Sequence, residues 1–271
     1  QVLTEEYSTH GVHVANVIVD GLIDSPGTRA LPIAQRRPDI IMNPAFPDSE
    51  LSRIKKQTAA RIQREQATPF GLAQRLIPGL IYGEGHAYNM PLTGSGTEES
   101  LASITRDDLV DFHATWFRPN NATMIVVGDT TLSEIQPKLE KLFAKWKAQD
   151  VPQKNIGTVE LNDAERVYIL DRPDAEQTLI IAASIVPPTN NPDEVALQAM
   201  NGVLGGGFVG RVNMNLREDK AWAYGAGTAI LGATGPRPYI GYAPVQTDKT
   251  ALSMAELRRE MVEIRSTRPP E

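Results

Sequence analysis

The 271-residue sequence contains no cysteine, which excludes disulfides, thiolate metal ligands and cysteine nucleophiles together. Histidine is nearly as scarce. There are four, His10, His13, His86 and His113, so a zinc site built wholly within this chain has few ligands to draw on. Cations do not outnumber anions (27 Lys+Arg against 33 Asp+Glu, net charge −6), and without Lys/Arg blocks there is no electrostatic footprint for nucleic acid. No uncharged apolar run reaches about 18 residues; the stretch 179–188 is too short to cross a bilayer, so no membrane span is expected. What remains is an ordinary globular composition, 41% hydrophobic and 22% charged. The length allows one large or two medium domains with real cores, and intrinsic disorder is excluded.

Hydrophobic period and punctuation place the elements. Residues 1–35 read as short strands and turns, with Ser25-Pro26-Gly27 as a turn. Asp48 is positioned to cap a helix over 49–66, and Pro69 opens a second helix with Phe70, Leu72, Ala73, Leu76 and Leu80 on one stripe. Thr105 and Asp108 form a capping box for a helix ending before Pro119. The apolar run 122–127 has the pattern of a buried strand, and 131–146 that of an amphipathic helix. Residues 147–163 turn polar and aperiodic, as a linker does. Strands at 167–171 and 177–186 follow, then helices at 193–204 and 209–219, a glycine-punctuated hairpin over 223–243 and a terminal helix over 250–265. Strands followed by helices, twice, predict an α+β fold of two domains, each a mixed or antiparallel sheet with helices on one face. The expected division is 1–150, a linker at 151–163, and 164–271.

The densest chemical signal lies between Gly202 and Gly225. Gly205, Gly206 and Gly207 are not a nucleotide loop, because no Gly-Lys-Ser/Thr follows and the segment succeeds a helix rather than a strand. Taken alone they read as a helix–helix turn, with left-handed dihedrals and close packing as the reason for glycine. Downstream, Arg217 sits near the end of a helix and Tyr224 just after the next turn. A guanidinium and a phenol brought together there can both donate hydrogen bonds to an oxyanion, but neither activates water. His13 on its apolar strand and His113 beside Phe112 and Trp116 read as packed residues, and the charged run 53–66 as a solvated helix face. Arg258, Arg259 and Glu260 are expected on an exposed face of the last helix.

A series of motifs carries a resemblance. Asn43-Pro44-Ala45-Phe46-Pro47, Tyr82-Gly83-Glu84-Gly85-His86-Ala87-Tyr88, Phe117-Arg118-Pro119-Asn120-Asn121-Ala122, Val126-Val127-Gly128-Asp129, Leu204-Gly205-Gly206-Gly207-Phe208 and Leu216-Arg217-Glu218-Asp219-Lys220-Ala221-Trp222-Ala223-Tyr224-Gly225 occur in that order. Together they resemble the insulinase/pitrilysin family of zinc peptidases, and within it the bacterial, processing-peptidase-like branch. The resemblance implies two homologous α+β halves closing around an unfolded peptide. One half carries an inverted His-x-x-Glu-His zinc motif, and the other an Arg and a Tyr that bind the scissile carbonyl. Arg217 and Tyr224 match that pair.

Two parts of the family's zinc site are missing. No His-x-x-Glu-His occurs in the 271 residues, and the position where the family places its third ligand, a Glu, is Arg61, a cation that repels Zn²⁺. The family's first half also has a longer segment where this chain passes from 30–35 to 36–43. The resemblance therefore implies a peptidase subunit that supplies Arg217 and Tyr224, with Gly205, Gly206 and Gly207 on the substrate side. Zinc is expected in a homologous partner subunit rather than here, and the substrate is a peptide or unfolded segment. A catalytically silent core homologue, or a self-sufficient zinc peptidase with its motif outside these residues, are the alternatives. The absence of an initial Met, the lack of cysteine and the bacterial branch fit a periplasmic or secreted protein after removal of a signal peptide, with the cytoplasm as the alternative.

Overall fold

Two strands come first: β1 (Val2–Thr9) and β2 (Val12–Val19) pair antiparallel, with Val2 opposite Val19. In chain order the helices that follow are α1 (Asp48–Ala67), α2 (Pro69–Tyr82), α3 (Glu98–Ser103), α4 (Arg106–Trp116) and α5 (Leu132–Phe143). The C-terminal part contributes β3 (Gln177–Val186), α6 (Glu194–Asn201), a π-helical turn (Gly202–Gly206) and the short α7 (Arg211–Asn213). A second π-helical turn (Met214–Asp219), β4 (Gly227–Ile230), β5 (Arg237–Gln246) and α8 (Thr250–Glu263) complete it. The computed structural model describes residues 41–159 and 164–266 in full, and 2–9 and 12–19 as backbone. The turn expected at 25–27, the junction expected between 30 and 40, the side chains of His10 and His13, and the end of the expected linker lie outside the described residues.

The chain divides into two compact units, residues 1–64 with 90–155, and residues 65–89 with 156–271. In the first, the start of α4 is capped by the chemistry its sequence predicts, whereas Asp48, expected as the cap of α1, is its first helical residue. Thr105 Oγ1 accepts from the Asp108 N–H at 3.2 Å while Asp108 accepts from the Thr105 N–H at 2.7 Å. Thr97 with Ser100 and Thr131 with Glu134 do the same for α3 and α5. The expected strand over 122–127 does not form. Ile125 and Val127 are 84% and 93% exposed, because among the described residues no strand lies beside the segment to take its backbone hydrogen bonds.

The second unit is built on a three-stranded antiparallel sheet, order β3-β5-β4, with Ile180 opposite Ala243 and Thr228 opposite Gly241. The period-2 pleat of β5 turns Ala243 and Val245 to one face, where they are completely buried. Leu204, Val212 and Leu216 from the two π turns and α7, and Leu257 from α8, close over Ile180 and these two to form the core. Burial of each such aliphatic side chain contributes about 1.5–3 kcal/mol. Helices on an antiparallel sheet make the fold α+β, as the alternation of patterns predicts. Residues 65–89 join this unit because Tyr82 donates to the Pro236 carbonyl (2.9 Å) and Tyr88 accepts from the Gly235 N–H (3.0 Å). The composition gave no sign of that exchange. The expected strand 167–171 is again absent: Val167 to Leu170 are 58–89% exposed and unpaired, for the same lack of a neighbouring strand. Glu260, expected on an exposed face, is buried because Arg211 binds it at 2.8 Å and Asn215 at 2.7 Å.

Arg237 at the start of β5 is 1% exposed and fully engaged. Its guanidinium donates to the Pro187 carbonyl, to Thr189 and to the Glu194 carboxylate, locking the β3–α6 connection onto the sheet. Arg237→Met strips the Pro187 carbonyl of its donor and leaves the Glu194 carboxylate with Asn191 and Gln198 alone, and should lower the melting temperature by about 5 °C or more. The Arg237 hydrogen bond, foremost, holds the Glu194 carboxyl below its ordinary 4.5. A carboxyl depressed in the folded state stabilises above its unfolded pKa and loses that contribution as pH falls through the folded one. Melts recorded from neutral pH down through 4.5 should therefore show the wild-type advantage over Arg237→Met shrinking on the acid side.

Candidate functional site

The glycine-rich turn is shaped by how close β4 comes to it. A Cβ on Gly205 would stand 2.8 Å from the Thr228 nitrogen, and one on Gly227 would stand 2.7 Å from the Gly205 carbonyl oxygen. Neither distance tolerates a side chain. Gly206 is held equally closely by Asn201, whose Oδ1 accepts from Thr228 Oγ1 at 2.8 Å. Close packing, one half of the sequence reading, is thus why glycine stands there. Left-handed dihedrals are not: the positive-φ glycines among the described residues are Gly83, Gly85, Gly94 and Gly96, and the turn is π-helical instead. Gly207 differs from its neighbours, with an extended backbone (φ −134°, ψ 168°) and open space where a Cβ would be.

From Gly207 the chain passes through Phe208 into α7 and the second π turn. Leu216 points into the core, 1% exposed, and the next residue, Arg217, emerges. Ala221, at φ 54°, reverses the chain so that the Trp222 and Ala223 N–H groups both donate to the Leu216 carbonyl (2.9 and 3.2 Å). Ala223 then bridges to Val245, and Tyr224 follows on the surface, 85% exposed. The Arg217 Cζ lies 5.4 Å from the Tyr224 ring centre and 4.5 Å from that of Phe208. Its Nε is 3.4 Å from the Glu218 carboxylate. The structure therefore brings the two sequence-predicted donors side by side on an open rim, with Gly207 at the end of the turn that leads into it. Such a pair supplies N–H and O–H donors to an anionic oxygen. It offers no base and no nucleophile.

Sequence reasoning missed Phe208 and Asn213. Phe208 closes the glycine motif, and its position there was the available signal. Asn213 was betrayed by being a polar residue between Val212 and Leu216. It is 4% exposed, donates to the Phe208 carbonyl at 2.6 Å and accepts the Ala226 N–H at 3.1 Å.

Residues that could hold a metal do not assemble. Among the described residues no three His, Asp or Glu side chains come together as a metal site. His86 Nδ1 accepts the Tyr88 N–H at 3.0 Å, which assigns the proton to Nε2, 3.1 Å from the Gly157 carbonyl; the ring stacks on Tyr82. His113 Nε2 is 2.7 Å from the Ile41 carbonyl, and its ring stacks on Phe117. Both are packed residues. Arg61 donates to the Thr93 carbonyl at 2.6 Å, so a guanidinium occupies the helix position where the family resemblance calls for a carboxylate. Among the described residues the donor set does not fit zinc.

A crystal structure of a peptidase M16 inactive domain from Pseudomonas fluorescens matches with a TM-score of 0.81 at 22% identity, covering 90% of this chain and 58% of that one. The fold is that of an M16-type α+β domain. Residues 103–271 match the family described as Peptidase M16 inactive domain, and the chain belongs to it. The uncharacterized zinc protease YmxG of Bacillus subtilis (strain 168) is 26% identical over 186 residues, 69% of this chain and 44% of its own length. The probable inactive metalloprotease YmfF of the same organism is 24% identical over 216 residues, 78% of this chain and 48% of its own. The chain thus spans about half the length of the curated relatives it matches. The motif series in the sequence named the same family, in its form without a zinc motif. Its members carry both zinc-protease and inactive descriptions, so membership does not itself confer peptidase activity.

The packing account separates the glycines. Gly205→Ala should cost about 1–3 kcal/mol, because its methyl meets rigid β4 backbone, while Gly207→Ala should stay within about 0.5 kcal/mol of wild type. Equal denaturation midpoints for the two variants would contradict it.

Proposed function

We propose that this chain is the zinc-free half of a two-part peptidase, and that Arg217 and Tyr224 stabilise the oxyanion formed at the scissile carbonyl of a peptide or unfolded segment. The observation that carries the reading is that the Arg217 guanidinium lies 5.4 Å from the ring centre of the exposed Tyr224. Neither group activates water, so a homologous partner subunit supplies the metal and the nucleophile. The carbonyl oxygen enters between the Arg217 and Tyr224 donors, whose hydrogen bonds strengthen as it takes on charge. Of the three glycines, Gly207 has the open extended backbone that lets a substrate main chain approach, and the substrate-binding role of the turn rests on it.

The test is to co-express the chain with a homologue bearing His-x-x-Glu-His and to follow cleavage of labelled casein. The chain alone should hold no stoichiometric zinc and cleave nothing, and the pair should turn over. Arg217→Ala or Tyr224→Phe should each lower kcat by about 10²–10³ without altering subunit association. An active pair that is indifferent to both substitutions would instead mark the chain as a structural homologue, the reading that the inactive description of its family favours.

A further inference from the structure

Arg217 is a long side chain, 30% exposed, and an unrestrained guanidinium that reaches solvent samples many rotamers. Its contacts show what restrains it. The Glu218 carboxylate lies 3.4 Å from Nε. The Phe208 ring, by contrast, lies against the guanidinium at 4.5 Å, nearer than the Tyr224 ring at 5.4 Å, and a cation is attracted to a ring face at both distances. Phe208 is 64% exposed and helps little with the core, so its packing does not account for an aromatic residue there. It is nevertheless not loose. Asn213, buried one helical turn before Arg217, takes the Phe208 carbonyl at 2.6 Å with its Nδ2 and the Ala226 N–H at 3.1 Å with its Oδ1. One side chain therefore fastens the residue that stacks on Arg217 to the strand entrance two residues beyond Tyr224.

We propose that Phe208 is the positioning residue for Arg217: its ring holds the guanidinium beside Tyr224, and Asn213 fixes Phe208 in register with the Tyr224 segment. The proposal rests on the oxyanion-donor reading above for its catalytic consequence, while its geometric part stands on this chain alone. Phe208 itself touches no reacting atom. Its effect passes through Arg217, so it should appear in kcat rather than in KM.

Two readouts test it. In the isolated full chain with isotope-labelled arginine, the Arg217 side-chain NMR signals, assigned by their disappearance in Arg217→Lys, should carry the ring-current shift of a guanidinium under an aromatic face. Phe208→Leu should abolish most of that shift, Phe208→Tyr should keep it, and Asn213→Asp, which loses the donor to the Phe208 carbonyl, should reduce it. In the assembled peptidase, Phe208→Leu should lower kcat about fivefold at unchanged KM, the size of an exposed cation–π contact, and Phe208→Tyr should restore it. Because Phe208 is surface-exposed, Phe208→Leu folds, and Arg217 signals unmoved in that variant would overturn the proposal. If Phe208→Leu shifts the signals while Arg217→Ala leaves turnover intact, the positioning stands and the oxyanion reading is what fails. Turnover that collapses in Arg217→Ala but not in Phe208→Leu leaves the oxyanion reading intact and rejects the positioning role.

Discussion

The second unit depends on a backbone-to-backbone approach between the glycine turn and β4. Gly205 and Gly227 face each other so closely that a methyl on either would overlap main-chain atoms of the other segment. That contact lets the first π turn bury Leu204 against the sheet and then release the chain at Gly207. Phe208 and Tyr224 lie on opposite sides of it in sequence and come to the same place because of it. A larger residue at either glycine would push apart the strand that follows Tyr224 and the turn that precedes Phe208.

Polar groups do the remaining fixing. Asn201 ties the first π turn to Thr228, Asn213 ties Phe208 to Ala226, and Asn215 ties the second π turn to Glu256 and Glu260 of α8. The Asn215 hydrogen bond is also the foremost reason the Glu256 carboxyl is held below its usual range. Arg211 adds ion pairs to Glu260 and Glu263. The Asn201 and Asn213 amides are specific, because each half-satisfied alternative strands a donor or acceptor, whereas Asn215 spends its Nδ2 on two carboxylates and leaves its Oδ1 without a partner. A π-helical segment is itself uncommon and recurs near functional sites, where its wider turn redirects a side chain. Here the second π turn places Leu216 inward and Arg217 toward the surface.

Much of this was legible in the sequence, for physical reasons that differ by element. Thr105 with Asp108 announced a helix start because capping is local chemistry, and 177–186 announced a strand because a long apolar run has few other fates. Arg217 and Tyr224 were legible as a pair from the motif that spaces them. The runs 122–127 and 167–171 carry the same strand signal as 177–186, yet the structure leaves them unpaired: strand formation needs a neighbour, and sequence pattern reports only the willingness to pair. Glu260 misled because a charge on a helix reads as solvent-facing until the Arg211 that meets it, 49 residues away, is known. Phe208 stacking on Arg217 and the transfer of residues 65–89 to the second unit are likewise long-range facts, set by Asn213, Tyr82 and Tyr88.

Whether Arg217 and Tyr224 serve a developing oxyanion and not the ground-state peptide is decided by binding rather than by rate. A peptide phosphonate, whose tetrahedral anion imitates the intermediate, and the matching uncleaved amide peptide can be titrated calorimetrically into the assembled pair. Tyr224→Phe should weaken the phosphonate about 10- to 100-fold, the loss of one hydrogen bond to a charged oxygen, and leave the amide peptide unchanged. Equal affinities of wild type and Tyr224→Phe for the phosphonate would contradict the account.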